Sequence, residues 1–215
     1  MIRDEKSKVE QEKSLGPLYF LYRKSEYRPI GPRAEDFIES DQNLLNAENV
    51  FKNSKTLDEF KAAFWAGIES SVRPKAWRTI LQYTPLSSQN GAAILLKKRV
   101  EYKEYVQMNT EEKYIAQNDS SIIETIKLIK KDVLRTLPES HIFRNRVVQN
   151  SMVRMLLIYS IRHPSNFYSQ GMNDILAPLF VVFMSEKFSF TYIELENRIK
   201  EVEDQLTEDS LLDVE

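Results

Sequence analysis

Glycine is nearly absent from this chain, with five among 215 residues where average usage is about 7%. Tight hairpins and phosphate-cradling loops consume glycine, because both place backbone in regions that a Cβ disfavours. A chain so short of it is expected to be all-α. Neither G-x-x-x-x-G-K-[ST] nor G-x-G-x-x-G occurs, so the chain is not expected to hold a nucleotide by itself.

The rest of the inventory narrows the chemistry further. No cysteine is present, which removes disulfides, thiolate zinc sites, iron–sulfur clusters and Cys nucleophiles together. His141 and His163 are the only histidines, too few for an H-E-x-x-H protease, so a metal would have carboxylate ligands alone and none is expected. Thirty Lys plus Arg against 32 Asp plus Glu leave a net charge of -2, which argues against broad electrostatic attraction to nucleic acid. With 42% apolar residues the chain reads as an ordinary globular protein. Its start, MIRDEKSKVEQEK, is too polar for a signal peptide. No apolar run approaches the roughly 20 residues of a membrane span, and a cytoplasmic location is expected.

Residues 1–56 are charged and broken by Gly16-Pro17, Pro29 and Gly31-Pro32, with Leu18 to Tyr22 as an apolar knot; they are expected to form a poorly ordered leader. Order is expected from Thr56, whose hydroxyl and Glu59 make a capping box, with Gly67 as a stop. A helix around 74–83 should carry Pro74 in its first turn, followed by a loop from Pro85 to Asn90 and a partly solvated helix over 91–108. Ser121 and Glu124 form a second capping box ahead of Ile122, Ile126, Ile129 and Val133, one apolar face of a helix ending near Thr136. An apolar helix over 147–162, stopped by Pro164, should lie inside. After a loop over 165–173, residues 175–184 make another, with Pro178 in its first turn or at a kink. Residues 186–215 hold ten Asp or Glu against Lys187, Arg198 and Lys200. Leu195, Ile199, Val202 and Leu206 there predict a solvated amphipathic surface helix.

No Ser-His-Asp order, paired-carboxylate signal or ligand cluster stands out. Two short segments do. In Ile129-Lys-Lys-Asp132-Val-Leu-Arg135-Thr136 a carboxylate three residues before an arginine can hold the guanidinium toward solvent. The same pair also suits plain compensation of a helix C-terminus. In Tyr168-Ser-Gln170-Gly171-Met172-Asn173-Asp174 a glycine able to turn sharply leaves the preceding amide exposed. That glutamine could equally tie down a loop between core helices, with Tyr168 and Met172 packing.

Together these segments resemble the I-x-x-D-x-x-R-T and Y-x-Q-G signatures of the TBC domain, the catalytic module of GTPase-activating proteins for Rab GTPases. Gly67-Ile68, Arg73 and Trp77 are similar to the family's opening G-I-x-x-x-x-R-x-x-x-W pattern. Ile161-Arg-His163-Pro164 and Pro178 to Phe183 resemble the branch that includes Golgi-acting Ypt/Rab activators. The resemblance implies an irregular multi-helix domain over residues 57–185, with 186–215 an acidic insert or tail. It implies a Rab-family small GTPase in its GTP state as partner, with GTP and Mg²⁺ held by that partner and no cofactor on this chain. Arg135 and Gln170 would be inserted as arginine and glutamine fingers. Asp132, Thr136, Tyr168, Gly171 and Asn173 would support them, while Gly67, Arg73, Trp77 and His163 would be structural. Peripheral membrane association through the Rab, at Golgi or endosomal membranes, would follow. Family domains continue beyond the second finger, so the carboxy-terminal part is expected to be missing, leaving the apolar faces of 147–162 and 175–184 without partners. The alternative is a catalytically silent Rab-binding or trafficking scaffold.

Overall fold

A computed structural model describes residues 41–65, 67–86, 90–117 and 119–199, with 201, 206, 207, 211 and 214 beyond them. Every regular element among these residues is a helix, as the glycine count implied. They fall into two compact units, one ending at Lys98 and the other running from Arg99.

The first unit holds α1 (Asp41–Asn53), α2 (Leu57–Ala63), α3 (Arg73–Ile80) and the start of α4 (Gly91–Met108). Thr56 caps α2 as expected: its Oγ1 accepts from the Glu59 N–H at 3.2 Å, and the Glu59 carboxylate accepts from the Thr56 N–H at 3.3 Å. Order nevertheless begins earlier than Thr56. α1 lies inside the expected leader, because Ala47, Val50 and Phe51 share one helical face that closes on Phe60 and Phe64. The Phe51 and Phe60 rings meet at 5.1 Å, edge on. Residues 1–40, with the Leu18 to Tyr22 knot, lie outside the described residues. α2 stops at Ala63, and Gly67 follows at φ 139 with its N–H on the Phe64 carbonyl. Pro74 sits in the first turn of α3. Part of the expected loop, 87–89, is outside the described residues. α4 has no buried residue, as a partly solvated helix should.

The second unit carries the main core. Its helices are α5 (Glu111–Ala116), α6 (Ser120–Val133), α7 (His141–Arg144), α8 (Arg146–Arg162), α9 (Met172–Phe188) and α10 (Tyr192–Arg198). Ile122, Ile126, Ile129 and Val133 form the buried face of α6 as their spacing required. The cap differs: Asp119, not Ser121, accepts from the Ile122 N–H at 3.1 Å, so the helix starts earlier and Ser121 falls inside its first turn. Asn145 caps α8, its Oδ1 accepting from the Val147 and Val148 N–H groups, and the helix buries Val148, Met152, Leu156, Leu157 and Ile158. α8 packs on α6, α7 and α9. Pro178 lies inside α9, in its second turn and not its first, because the helix starts at Met172 straight after Gly171 at φ 99. α5 and α7 have no counterpart in the sequence reading. At six and four residues they are too short to show a period.

Among its described residues, which leave out Val202, the acidic segment is not a solvated surface helix. α10 is short and packs on α9 and α7. Leu195 and Leu211 are 0% exposed, and Ile199, Leu206 and Val214 join the same core. Charge counting missed this because the acidic residues flank the leucines instead of replacing them. Glu196 accepts from Ser140 Oγ at 2.7 Å and from the His141 N–H, stitching α10 to the start of α7. The apolar faces of α8 and α9 therefore do have partners here, although Ile175 on α9 stays 69% exposed.

Candidate functional site

α6 ends at Val133, and Leu134 and Arg135 emerge from its last turn with Arg135 exposed. Arg135 Nη2 pairs with Asp132 Oδ1 at 2.7 Å, while the Asp132 side chain is only 1% exposed. A buried carboxylate thus holds a solvent-facing guanidinium by a charge-assisted hydrogen bond, which fixes its orientation. Asp132 is held in turn: Tyr168 Oη donates to its Oδ2 at 2.7 Å. Burial, and then the hydrogen bond to Asp132, push the Tyr168 phenol well above its ordinary range, so it remains a donor. The Thr136 hydroxyl donates to the Asp132 carbonyl at 3.1 Å, and Leu137 at φ 40 turns the chain sharply after it.

On the other side, Gln170 and Gly171 precede α9. Gly171 takes the left-handed conformation that its lack of Cβ allows, and Gln170 is exposed. Asn173, 2% exposed, donates to Thr136 Oγ1 at 2.8 Å. Met172 packs against the core, and its sulfur accepts from the Ser169 N–H at 3.4 Å. Arg135, Gln170, Gly171, Asn173 and Asp174 line one open cleft of about 410 Å³.

All seven residues read from the two segments are therefore brought to one place: Arg135, Gln170, Asp132, Thr136, Tyr168, Gly171 and Asn173. The sequence reading did not single out Asp174 as a wall of this cleft. Its only local signal was an acidic residue in the first turn of a helix, common anywhere because it suits the dipole. Arg73 belongs to the first unit, where its Nε and Nη2 donate to the Ile68 carbonyl at 3.1 and 2.7 Å, clamping the turn after Gly67. Trp77 is half-buried in α3. His163 is the C-cap of α8, its ring 4.7 Å from that of Tyr159. No group of three or more His, Asp or Glu able to hold a metal occurs among the described residues.

A helical fold carrying an exposed, anchored arginine beside a glutamine turn defines the class: the chain belongs to the Rab-GTPase-TBC domain family, whose profile matches residues 70–195. It is 34% identical over 158 residues to TBC1 domain family member 22B of Homo sapiens, a match covering 74% of this chain and 30% of that protein. To GTPase-activating protein GYP1 of Saccharomyces cerevisiae it is 27% identical over 176 residues, covering 81% of this chain and 27% of that one. The crystal structure of the Ypt/Rab-GAP domain of Gyp1p superposes with a TM-score of 0.63 at 26% identity, over 80% of this chain and 52% of the other. The chain thus spans under a third of the length of these two curated relatives.

Proposed function

We propose that this chain accelerates GTP hydrolysis by a Rab-family small GTPase in its GTP state, supplying Arg135 and Gln170 in trans. The observation that carries the reading is one cleft lined by both side chains, with Arg135 exposed while its anchor Asp132 is buried. GTP and Mg²⁺ are the partner's, and hydrolysis takes place in the partner's site, so this chain is an activator with no cofactor of its own. Arg135 neutralises charge that develops on the β and γ phosphates, a contribution of about 10³ to 10⁵ in rate for arginine fingers. Gln170 orients the attacking water, and its amide provides both a donor and an acceptor for that task. Asp132 and Tyr168 restrict the guanidinium in advance, so less ordering remains at the moment of reaction. Residence at Golgi or endosomal membranes follows from the partner, by peripheral association. The shared Rab-GTPase-TBC family and the similarity to GTPase-activating protein GYP1 support this reading.

Single-turnover GTP hydrolysis on a panel of Rab proteins tests it. The unmodified chain is expected to accelerate at least one Rab, and Arg135→Ala or Gln170→Ala to lose most of that acceleration. An Arg135→Ala chain as active as the unmodified one overturns the assignment. Capture of Rab–GTP without any acceleration identifies a binding module instead.

A further inference from the structure

The two finger side chains stand on different elements, yet each is bracketed by residues that hold the other's element. Asp132 and Thr136 flank Arg135; Tyr168 and Asn173 flank Gln170. One tie joins Tyr168 Oη to the Asp132 carboxylate at 2.7 Å, and the other joins Asn173 Nδ2 to Thr136 Oγ1 at 2.8 Å. The chemistry dictates which way the Asn173 amide points. Its nitrogen faces the Asp174 carboxylate at 2.9 Å and the Asp132 carbonyl at 3.4 Å, both of which only accept. Thr136 gives its own proton to the Asp132 carbonyl, leaving lone pairs for Asn173. Thr136 and Asn173 are 1% and 2% exposed, so water does not replace a lost bond. The Tyr168 tie holds a side chain; the Asn173 tie holds the turn that carries the arginine.

We propose that Asn173 is the positioning residue that locks the arginine turn to the glutamine turn, so that Arg135 and Gln170 keep a fixed spacing and act on the partner's triphosphate as one unit. This rests on the assignment of those two side chains as the fingers, and the test separates the two ideas. The variants are Asn173→Ala and the nearly isosteric Thr136→Val, each in the full chain, with the double variant. The first readout needs no GTPase: amide hydrogen exchange at Arg135 and Thr136, whose N–H groups donate to Asp132 and Val133 carbonyls at 3.1 Å. Exchange is expected to quicken about tenfold in either variant, the equivalent of one ordinary hydrogen bond, with little further change in the double. Unchanged exchange in the Thr136→Val chain overturns the lock, whatever the activity.

The second readout is single-turnover hydrolysis. Asn173→Ala is expected to lower the maximal rate about 10- to 100-fold, as a displaced catalytic group does, with half-saturation moved less than about twofold. In the otherwise intact chain, Arg135→Ala and Gln170→Ala should together cost less than the product of their separate losses; in the Asn173→Ala background the losses should multiply. Losses that multiply in both backgrounds refute joint action. Quickened exchange in a chain that accelerates no Rab supports the lock and retires the activator reading.

Discussion

Replacing Tyr168 with Phe removes one oxygen from the middle of the site and leaves every carbon in place. The ring is 7% exposed, and its hydroxyl donates at 2.7 Å to a carboxylate that is 1% exposed. Asp132 then keeps Arg135 on Oδ1 and loses its donor on Oδ2, where water does not reach. A hydrogen bond to a charged group contributes about 1.5 to 3 kcal/mol, so a loss near 2 kcal/mol is expected. For a chain of this length that corresponds to a fall in Tm of roughly 4 to 8 °C, read by calorimetry. In an Asp132→Asn background the same substitution should cost about half as much, because no full charge is left stranded. Alkaline pH gives a second signature. The folded state keeps the Tyr168 proton well above the ordinary value of 10.0. That stabilisation is complete below pH 10 and is lost as pH rises beyond it, so the Tyr168→Phe chain should show a flatter alkaline limb. A Tyr168→Phe chain melting within about 1 °C of the parent, with the same penalty in both backgrounds, would refute the reasoning.

Leu195→Ala, at a 0% exposed position in the acidic segment, should destabilise by about 2 to 5 kcal/mol in denaturant unfolding; a change below about 0.5 kcal/mol would mean the segment is solvated after all. Gly171→Ala meets no atom within 4 Å of the new Cβ, so its cost should come from backbone at positive φ alone, about 1 to 2 kcal/mol by the same measurement. Ile175 is 69% exposed directly after Asp174 on the cleft wall. Ile175→Ser should leave Tm unchanged and raise half-saturation on a responsive Rab about tenfold, as loss of an apolar interface contact does.

Much of the architecture is legible in the sequence. The face made by Ile122, Ile126, Ile129 and Val133 follows from the 3.6-residue period, and the Thr56–Glu59 box follows from side chains within reach of their own backbone. The two signature segments are recognisable because their residue types and spacing are local. What failed locally failed for want of length or for competition: α5 and α7 are too short to show a period, and Asp119 outcompeted Ser121 as a cap.

By itself the sequence determined that the chain is helical, where most helices run, and which residues belong to the two signature segments. Tertiary structure alone decided that Leu195, Leu206 and Leu211 enter the core despite their acidic neighbours. It also decided that residues 132–136 meet residues 168–173 through three buried hydrogen bonds. The physical reason is the same in both cases. Burial and long-range pairing depend on which surfaces remain to be covered once the helices have packed, and no run of neighbouring residues carries that information.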